Sequence, residues 1–112
     1  MLYELEKKIV GPLTEKTAPA LRKHLEGWIR DRLDMYSNTG KEDGGFWLYL
    51  KRDGDYSYTK LSIPYGSDVH TDCDGDLHIA LPDGMHLEFS SCYGLRISTK
   101  LYKVTLEKEA AR

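Results

Sequence analysis

The middle of the chain alternates between apolar and polar side chains. Over residues 69–72, 77–81 and 85–89 the apolar residues fall mostly at every second position, the period of a β-strand with one covered face. The segments Cys73-Asp74-Gly75 and Pro82-Asp83-Gly84 separate these runs, and each ends in a glycine that can adopt the positive φ of a three-residue hairpin loop. The pattern therefore predicts two successive hairpins.

Loops of three residues determine how these strands pair. They set four pairs level with one another: His70 with His78, His78 with Glu88, Asp72 with Asp76, and Leu81 with Met85. Loops of two residues would place apolar residues against polar ones and expose half of the apolar set. The preferred register gives one apolar face, made of Leu77, Ile79, Leu81, Met85, Leu87 and Phe89.

The region before these two hairpins, which together we call the meander, has apolar residues at helical spacing. From residue 18 to about residue 37 the apolar residues recur at helical spacing, as Leu21, Leu25, Trp28, Ile29, Leu33 and Tyr36. Thr17 is placed to cap the helix and Pro19 lies in its first turn. Gly27 costs about 1 kcal/mol in mid-helix, so we expect a bulky group packed against it. The helix is expected to end at Asn38-Thr39-Gly40, before a polar connector at residues 41–45.

A further hairpin is predicted between this connector and the meander. Residues 46–51 and 55–63 flank Asp53-Gly54, read here as a two-residue type I′ turn. That turn pairs Phe46 with Leu61, Trp47 with Lys60 and Tyr49 with Tyr58. One face then holds Phe46, Leu48, Leu50 and Leu61, and the other holds Trp47, Tyr49, Lys51, Tyr56, Tyr58 and Lys60.

The two ends of the chain carry weaker patterns. Leu2, Leu5 and Ile9 follow one side of a short helix that Gly11-Pro12 would end, although a strand is nearly as compatible. At the other end, the apolar parity changes within residues 95–107, and a bulge near Thr99 or Lys100 would reconcile the two halves of one long strand.

Together these elements predict an α+β fold, with one long amphipathic helix packed on an antiparallel meander sheet of about five or six strands. A chain of 112 residues with 40% hydrophobic residues suits a single domain over residues 1–112, with a helical part at about 1–40 and the sheet at about 44–107. No apolar run is long enough to cross a bilayer and no signal peptide is apparent, so we expect a cytoplasmic protein without membrane contact. Cys73 and Cys92 are expected to be reduced thiols.

The histidine row formed by His70, His78 and His86 is the first candidate for chemistry, since its members are eight residues apart and share one face. With Asp72 and Glu88 beside them, His70 and His78 could bind a transition metal and support a metal-dependent hydrolase. Surface histidines on a regular pair of hairpins give the same spacing. A calcium loop at residues 72–83 is excluded because Leu77 occupies the position that requires glycine.

The second candidate is a surface of aromatic and basic residues, made of Trp47, Tyr49, Lys51, Tyr56, Tyr58 and Lys60. Tyrosine and tryptophan are typical of hot spots in protein interfaces, with either another protein or a second copy of the chain. The same rings could stack on single-stranded nucleic acid, with Lys51, Lys60, Arg96 and Lys100 contacting phosphates, but the net charge of −2 disfavours this. Cross-strand aromatic pairs that only stabilise the sheet are the third alternative.

The chain lacks the motifs of common enzymes. There is no nucleophile elbow around Ser90-Ser91-Cys92 and no glycine-rich phosphate loop before a helix. We therefore predict a non-enzymatic binding module, without a cofactor, whose outer sheet face binds a protein partner. Its proportions suit an accessory protein, such as an inhibitor, an immunity factor or a phage-encoded anti-defence protein.

Overall fold

The computed structural model describes residues 9–52, 54, 56–99 and 103–106. Within these residues one helix precedes most of the strands, so the predicted α+β class is confirmed. In chain order the elements are β1 (Gly11–Pro12), α1 (Ala18–Leu33), β2 (Met35–Glu42), β3 (Gly45–Arg52), β4 (Thr59–Pro64), β5 (Asp68–Thr71), β6 (Leu77–Ala80), β7 (His86–Ser90), β8 (Gly94–Ser98) and β9 (Lys103–Leu106).

The strands form two antiparallel sheets. The first contains β2, β3 and β4 in that order, and the second has the order β1-β5-β6-β7-β8-β9. Both sheets turn an apolar face inward, where buried side chains of α1 join them in one core. Trp28 of α1 meets the ring of Phe89 edge to face, with centroids 5.3 Å apart, and so links the helix to the six-stranded sheet.

The predicted meander is confirmed in position and register. His70 pairs with His78, and His78 pairs with Glu88. The two loops close as expected, because the amide of Asp72 donates to the carbonyl of Asp76 at 3.0 Å and the amide of Leu81 donates to that of Met85 at 2.8 Å. Alternation therefore places His78 and Glu88 on the outer face of the six-stranded sheet.

The predicted end of the helix at about residue 37 is wrong. The helix ends at Leu33, and Asp34 follows with a left-handed φ of 54°, which directs the chain into β2. The residues expected to close the helix and connect it therefore form a strand. The inner side of β2 carries Ser37 and Thr39, which are buried and polar. Ser37 Oγ donates to the carbonyl of Glu26 at 2.9 Å, so β2 is attached to α1 by hydrogen bonds as well as by packing.

The start of the helix and its interior also differ in detail from expectation. Pro19 lies in the first turn as predicted, whereas the side chain of Thr17 makes no capping hydrogen bond. Its hydroxyl accepts instead from the amide of Thr14 at 3.0 Å. The bulky neighbour expected at Gly27 is absent among the described residues, since apart from its two chain neighbours and the helix backbone no atom lies within 4 Å of a Cβ placed there. Packing against the described residues therefore does not explain why residue 27 is a glycine.

The register of the β3 and β4 pair is offset by two residues from the prediction. Phe46 pairs with Ile63 rather than Leu61, Trp47 with Ser62 rather than Lys60, and Tyr49 with Lys60 rather than Tyr58. The ladder stops at Leu50 and Thr59, so the connection is far longer than a two-residue turn at Asp53-Gly54. An offset of two keeps the paired side chains of β3 and β4 on their predicted faces, because the strand period is also two.

The described residues after β7 form two paired strands rather than one bulged strand. Strands β8 and β9 pair with each other, with Ile97 opposite Val104. The two apolar parities of the sequence therefore belong to two separate strands. Leu2, Leu5 and Lys100 lie outside the described residues. Within the described ranges, no helix is both long and apolar enough to cross a membrane.

Candidate functional site

The outer side of the three-stranded sheet carries a row of rings. Tyr49 and Tyr58 stack with centroids 4.1 Å apart and planes 18° from parallel. Trp47 meets Tyr49 edge to face, with centroids 5.9 Å apart and an angle of 70°. We define the aromatic face as Tyr36, Trp47, Tyr49, Lys51, Tyr58 and Lys60. The rings of Trp47, Tyr49 and Tyr58 are held in place by one another before any partner binds.

Trp47 has its position because residue 40 lacks a side chain. Gly40 of β2 pairs with Trp47, and a Cβ placed on Gly40 would lie 2.1 Å from Cζ2 of the indole ring. The ring therefore lies across the backbone of the neighbouring strand. Glycine is required here for this close approach.

Tyr36 belongs to the aromatic face, although its spacing in the sequence predicted a position on the buried side of the helix. It lies in β2 opposite Lys51 and is 58% exposed. The sequence contained a signal that the helix ends before Tyr36. Tyr36 is the last residue of the helical apolar pattern, and residues 36–39 favour strands or turns more than helices. Tyr36 also brings a third tyrosine close to Tyr49.

The hydroxyls of these tyrosines interact. A hydrogen bond with Tyr58 is the main reason that the pKa of Tyr49 is raised, and partial desolvation and the nearby Tyr58 and Tyr36 add to it. A raised pKa keeps Tyr49 neutral throughout the physiological range. Tyr49 therefore presents a neutral hydroxyl, and the basic residues of this face are Lys51 and Lys60.

The lysines lie directly beside the rings. Lys60 pairs with Tyr49 across β3 and β4, and Lys51 pairs with Tyr36 across β2 and β3. Tyr56 does not join the row. It lies in the connection between β3 and β4 and is fully exposed, so its predicted position beside the other rings is not observed.

An open pocket adjoins one end of the aromatic face. Its volume is about 620 Å³, and its lining is shared by the end of α1, the start of β2 and the end of β3. The lining residues are Arg30, Asp34, Met35, Tyr36, Lys51, Arg52 and Gly54. Among the described lining residues three are basic and Asp34 is acidic.

The histidine row is assembled on the other sheet as predicted. His70 and His78 stack with ring centroids 5.0 Å apart and planes 7° from parallel. His78 Nδ1 lies 2.9 Å from His86 Nε2, and His78 Nε2 lies 2.7 Å from Asp72 Oδ2. A carboxylate can only accept, so His78 donates through Nε2 to Asp72. His78 thus connects His86 to Asp72 through hydrogen bonds at both ring nitrogens.

Asp72 is held in place by the first loop of the meander. Its Oδ1 accepts from the amides of Asp74 at 2.9 Å and Asp76 at 3.0 Å. The hydrogen bond from His78 is the largest reason that the pKa of Asp72 is lowered, and these two amides lower it further. The cluster of aspartates is therefore explained by turn geometry, and one oxygen of Asp72 faces the histidine.

Burial lowers the pKa of His86, and the neighbouring His78 and His70 add to this effect, while Glu88 opposes it. Glu88 lies opposite both His78 and Arg96, and its Oε1 is 3.7 Å from Nη1 of Arg96. One ligand atom from each of Asp72, His78 and Glu88 lies within 4.8 Å of the others. Three of the four predicted metal candidates are thus brought together, while His70 Nδ1 lies 3.5 Å from Asp68.

The basic residues proposed for nucleic acid do not form one surface. Arg96 lies on the six-stranded sheet, where its guanidinium is 3.8 Å from the ring centre of Tyr93. Lys100 is outside the described residues. Cys73 and Cys92 are both exposed thiols without a disulfide.

Comparison with known proteins gives no relative: the chain matches no protein-family model, no curated protein and no solved structure. Its fold alone would not define a function in any case. Two surfaces remain as candidates, the aromatic face on one sheet and the histidine row on the other.

Proposed function

We propose that this protein is a non-enzymatic binding module, and that its aromatic face binds a protein partner that presents acidic side chains around an apolar centre. The ordered ring row of Trp47, Tyr49 and Tyr58 is the observation that carries this proposal. Large rings on a solvent-facing sheet are typical of interface hot spots. An inhibitor or immunity factor would act in this way, by occupying another protein.

Preorganisation favours binding at these rings. Tyr58 is 54% exposed although it is stacked on Tyr49, so much of its surface is available to a partner. Ordering a free side chain on binding costs about 0.5–1.5 kcal/mol. Because the rings already restrain one another, a partner that covers them loses less of its binding free energy to this cost.

The charges around the rings favour an acidic partner. Lys51 and Lys60 lie on the face itself, and the pocket beside Tyr36 adds Arg30. The acidic residue Glu42 is at the opposite end of β2 from Tyr36. Among the described residues at the Tyr36 end, Arg30 and Lys51 accompany the acidic Asp34, and acidic groups of the partner would increase the association rate at these basic side chains.

A protein partner suits the face better than single-stranded nucleic acid. Nucleobases stack on open ring faces, but one face of Tyr49 is already covered by Tyr58 and the indole of Trp47 lies over Gly40. Arg96, one of the predicted phosphate contacts, is on the other sheet. These arrangements leave hydroxyls, ring edges and two lysines, which are the groups that protein interfaces use.

The test compares the wild type with a Tyr49→Ala/Tyr58→Ala double variant. Both serve as bait for capture from the source cells, and the partner is then purified and titrated by calorimetry. Loss of central anchors should weaken binding by about 2 kcal/mol or more, which is about 30-fold. Tyr93→Ala is the matched control, because Tyr93 is 60% exposed and lies outside the aromatic face. Circular dichroism checks that each variant is folded.

Lys51→Glu provides a second variant that leaves the ring row intact. It should slow association and reduce the dependence of the rate on salt. Equal affinity of the wild type and the double variant, with both folded, would refute the proposal. A salt-sensitive affinity for single-stranded oligonucleotides that the double variant loses would assign the face to nucleic acid instead, and a dimer lost in the same variant would make the partner a second copy of the chain.

A further inference from the structure

We propose that Asp72, His78 and Glu88 bind a divalent transition-metal ion of the zinc class on the outer face of the six-stranded sheet. The site is independent of the aromatic face, which belongs to the other sheet. One imidazole nitrogen and two carboxylate oxygens are all ligands that zinc accepts. An imidazole ligand also favours such an ion over magnesium or calcium, which prefer oxygen ligands alone.

The distances are close to those of a bound ion. Zinc bonds of roughly 2.0–2.2 Å in a tetrahedron place ligand atoms about 3.4 Å apart. The ligand atoms of the three residues lie within 4.8 Å of one another, and the pair formed by His78 Nε2 and Asp72 Oδ2 is 2.7 Å apart. Binding therefore requires this pair to separate by about 0.7 Å and Glu88 to approach. An ion would take the place of the shared proton.

Two of the ligands are already oriented by neighbouring groups. The loop amides of Asp74 and Asp76 hold Asp72 through Oδ1 and leave Oδ2 directed at His78. The ring of His78 is stacked on His70 and hydrogen-bonded through Nδ1 to His86. Fixed ligands of this kind lose little freedom on binding, and outer groups that orient ligands commonly raise metal affinity by 10- to 100-fold.

The contact with His86 also allows His78 to present an unprotonated Nε2 to the metal. A metal on His78 Nε2 needs that nitrogen without its proton, so His78 must carry its proton on Nδ1. His86 Nε2 is 2.9 Å from this atom and can accept the hydrogen bond. The change is a shift of tautomer in both rings, with His86 then protonated on Nδ1. A ligating histidine that donates its other N–H in this way is the usual arrangement in metal sites.

The surroundings suit an ion that remains partly open to solvent. The side chain of His78 is 15% exposed and that of Asp72 is 32% exposed. Glu88 is held loosely by Arg96 at 3.7 Å, so its carboxylate can rotate toward the other two ligands. Three protein ligands leave a fourth position of a tetrahedron for water or for a group on another molecule.

The experiment uses the full chain without an affinity tag, kept reduced, and titrated with zinc in competition with a chromophoric chelator. We expect one zinc ion per chain. Asp72→Asn, His78→Gln and Glu88→Gln should each weaken zinc binding at least tenfold. Asn at residue 72 retains an oxygen for the loop amides, so that variant separates loss of a ligand from loss of the turn. Circular dichroism with a chelator present checks folding.

Two control variants keep the same loop. Asp74→Asn removes a neighbouring carboxylate that is outside the set, and Cys73→Ser removes the exposed thiol next to Asp72. Both should bind zinc as the wild type does, and cobalt in place of zinc should show no thiolate charge-transfer band. The proposal is overturned if no stoichiometric zinc binds, if the three ligand variants bind it unchanged, or if Cys73→Ser abolishes binding. In these cases the network serves only to stabilise the sheet.

Discussion

Replacing Gly40 by alanine tests the position of Trp47, from which the aromatic face begins. The new Cβ would be 2.1 Å from Cζ2 and 2.5 Å from Cε2 of the indole. Ordinary carbon contacts are about 3.5–4.0 Å, so the ring must move by more than about 1 Å. Overpacking of this kind costs about 1–3 kcal/mol, and the lower part of that range applies because the ring of Trp47 is only partly buried and can shift.

Alanine at residue 40 also has a favourable effect on the strand, and this effect can be separated from the clash with the indole. Alanine is favoured over glycine in a strand by about 0.5–1 kcal/mol, and Gly40 does not have a positive φ that would prevent this gain. We therefore expect Gly40→Ala to lower the free energy of unfolding by about 1 kcal/mol in the wild type, but to raise it by about 0.5–1 kcal/mol in a Trp47→Ala background. The coupling between residues 40 and 47 would then be about 1.5–2 kcal/mol.

The assay is urea unfolding of the four proteins of this double-mutant cycle, followed by circular dichroism. Two-state curves with similar slopes are required for the comparison. An effect of Gly40→Ala with the same sign and size in both backgrounds would show that the indole does not lie over residue 40. Trp47 would then not have the position from which the ring row begins.

Two further predictions concern the helix. Burial lowers the pKa of His24, so the unfolded chain binds a proton more readily than the folded one. This group's contribution to stability should therefore be complete above the ordinary histidine pKa of 6.5 and decrease as the pH falls below it, and His24→Gln should reduce that slope in unfolding measured from pH 7.5 to about 5. At the helix end, Asp34 has a φ of 54°. Asp34→Val should lower the free energy of unfolding by about 1–2 kcal/mol while Asp34→Gly should not, and equal losses would contradict this account of the helix end.

The meander was predictable because three independent signals agree there. Alternation identifies the strands, glycines at the loop ends identify the turns, and burial of the apolar set selects one register. The pairs of His70 with His78 and of His78 with Glu88 follow from these signals alone. The assembly of the histidine row was therefore visible in the sequence, although the hydrogen bonds between its side chains were not.

Strand β2 was missed because its inner face contains little apolar surface. Ser37 and Thr39 are buried there through hydrogen bonds to the backbone and side chain of Glu26. A method based on hydrophobic period has no means of recognising a buried face made of hydroxyls. The left-handed conformation of Asp34 was equally hidden, since aspartate is common inside and outside helices.

The hairpin of β3 and β4 shows why a strong local signal can fail. Two Asp-Gly pairs occur close together, and the short turn forms at Asp43-Gly44, where Glu42 pairs with Gly45. That turn joins β2 to β3, whereas the prediction placed a short turn between β3 and β4 at Asp53-Gly54, where the ladder of those two strands has already ended. Turn propensity is a local quantity, whereas the choice between two similar turns depends on which one lets β2 pair along its full length.

The alternation that determines the fold leaves the outer positions of both sheets largely unconstrained. The core requires Phe46, Leu48 and Leu50 to point inward, but any residue that tolerates a strand could occupy position 47 or 49. A ring row and a hydrogen-bonded histidine row are therefore not consequences of folding. Because the core requires neither row, substitutions in each can be tested for loss of binding in variants whose core is unchanged.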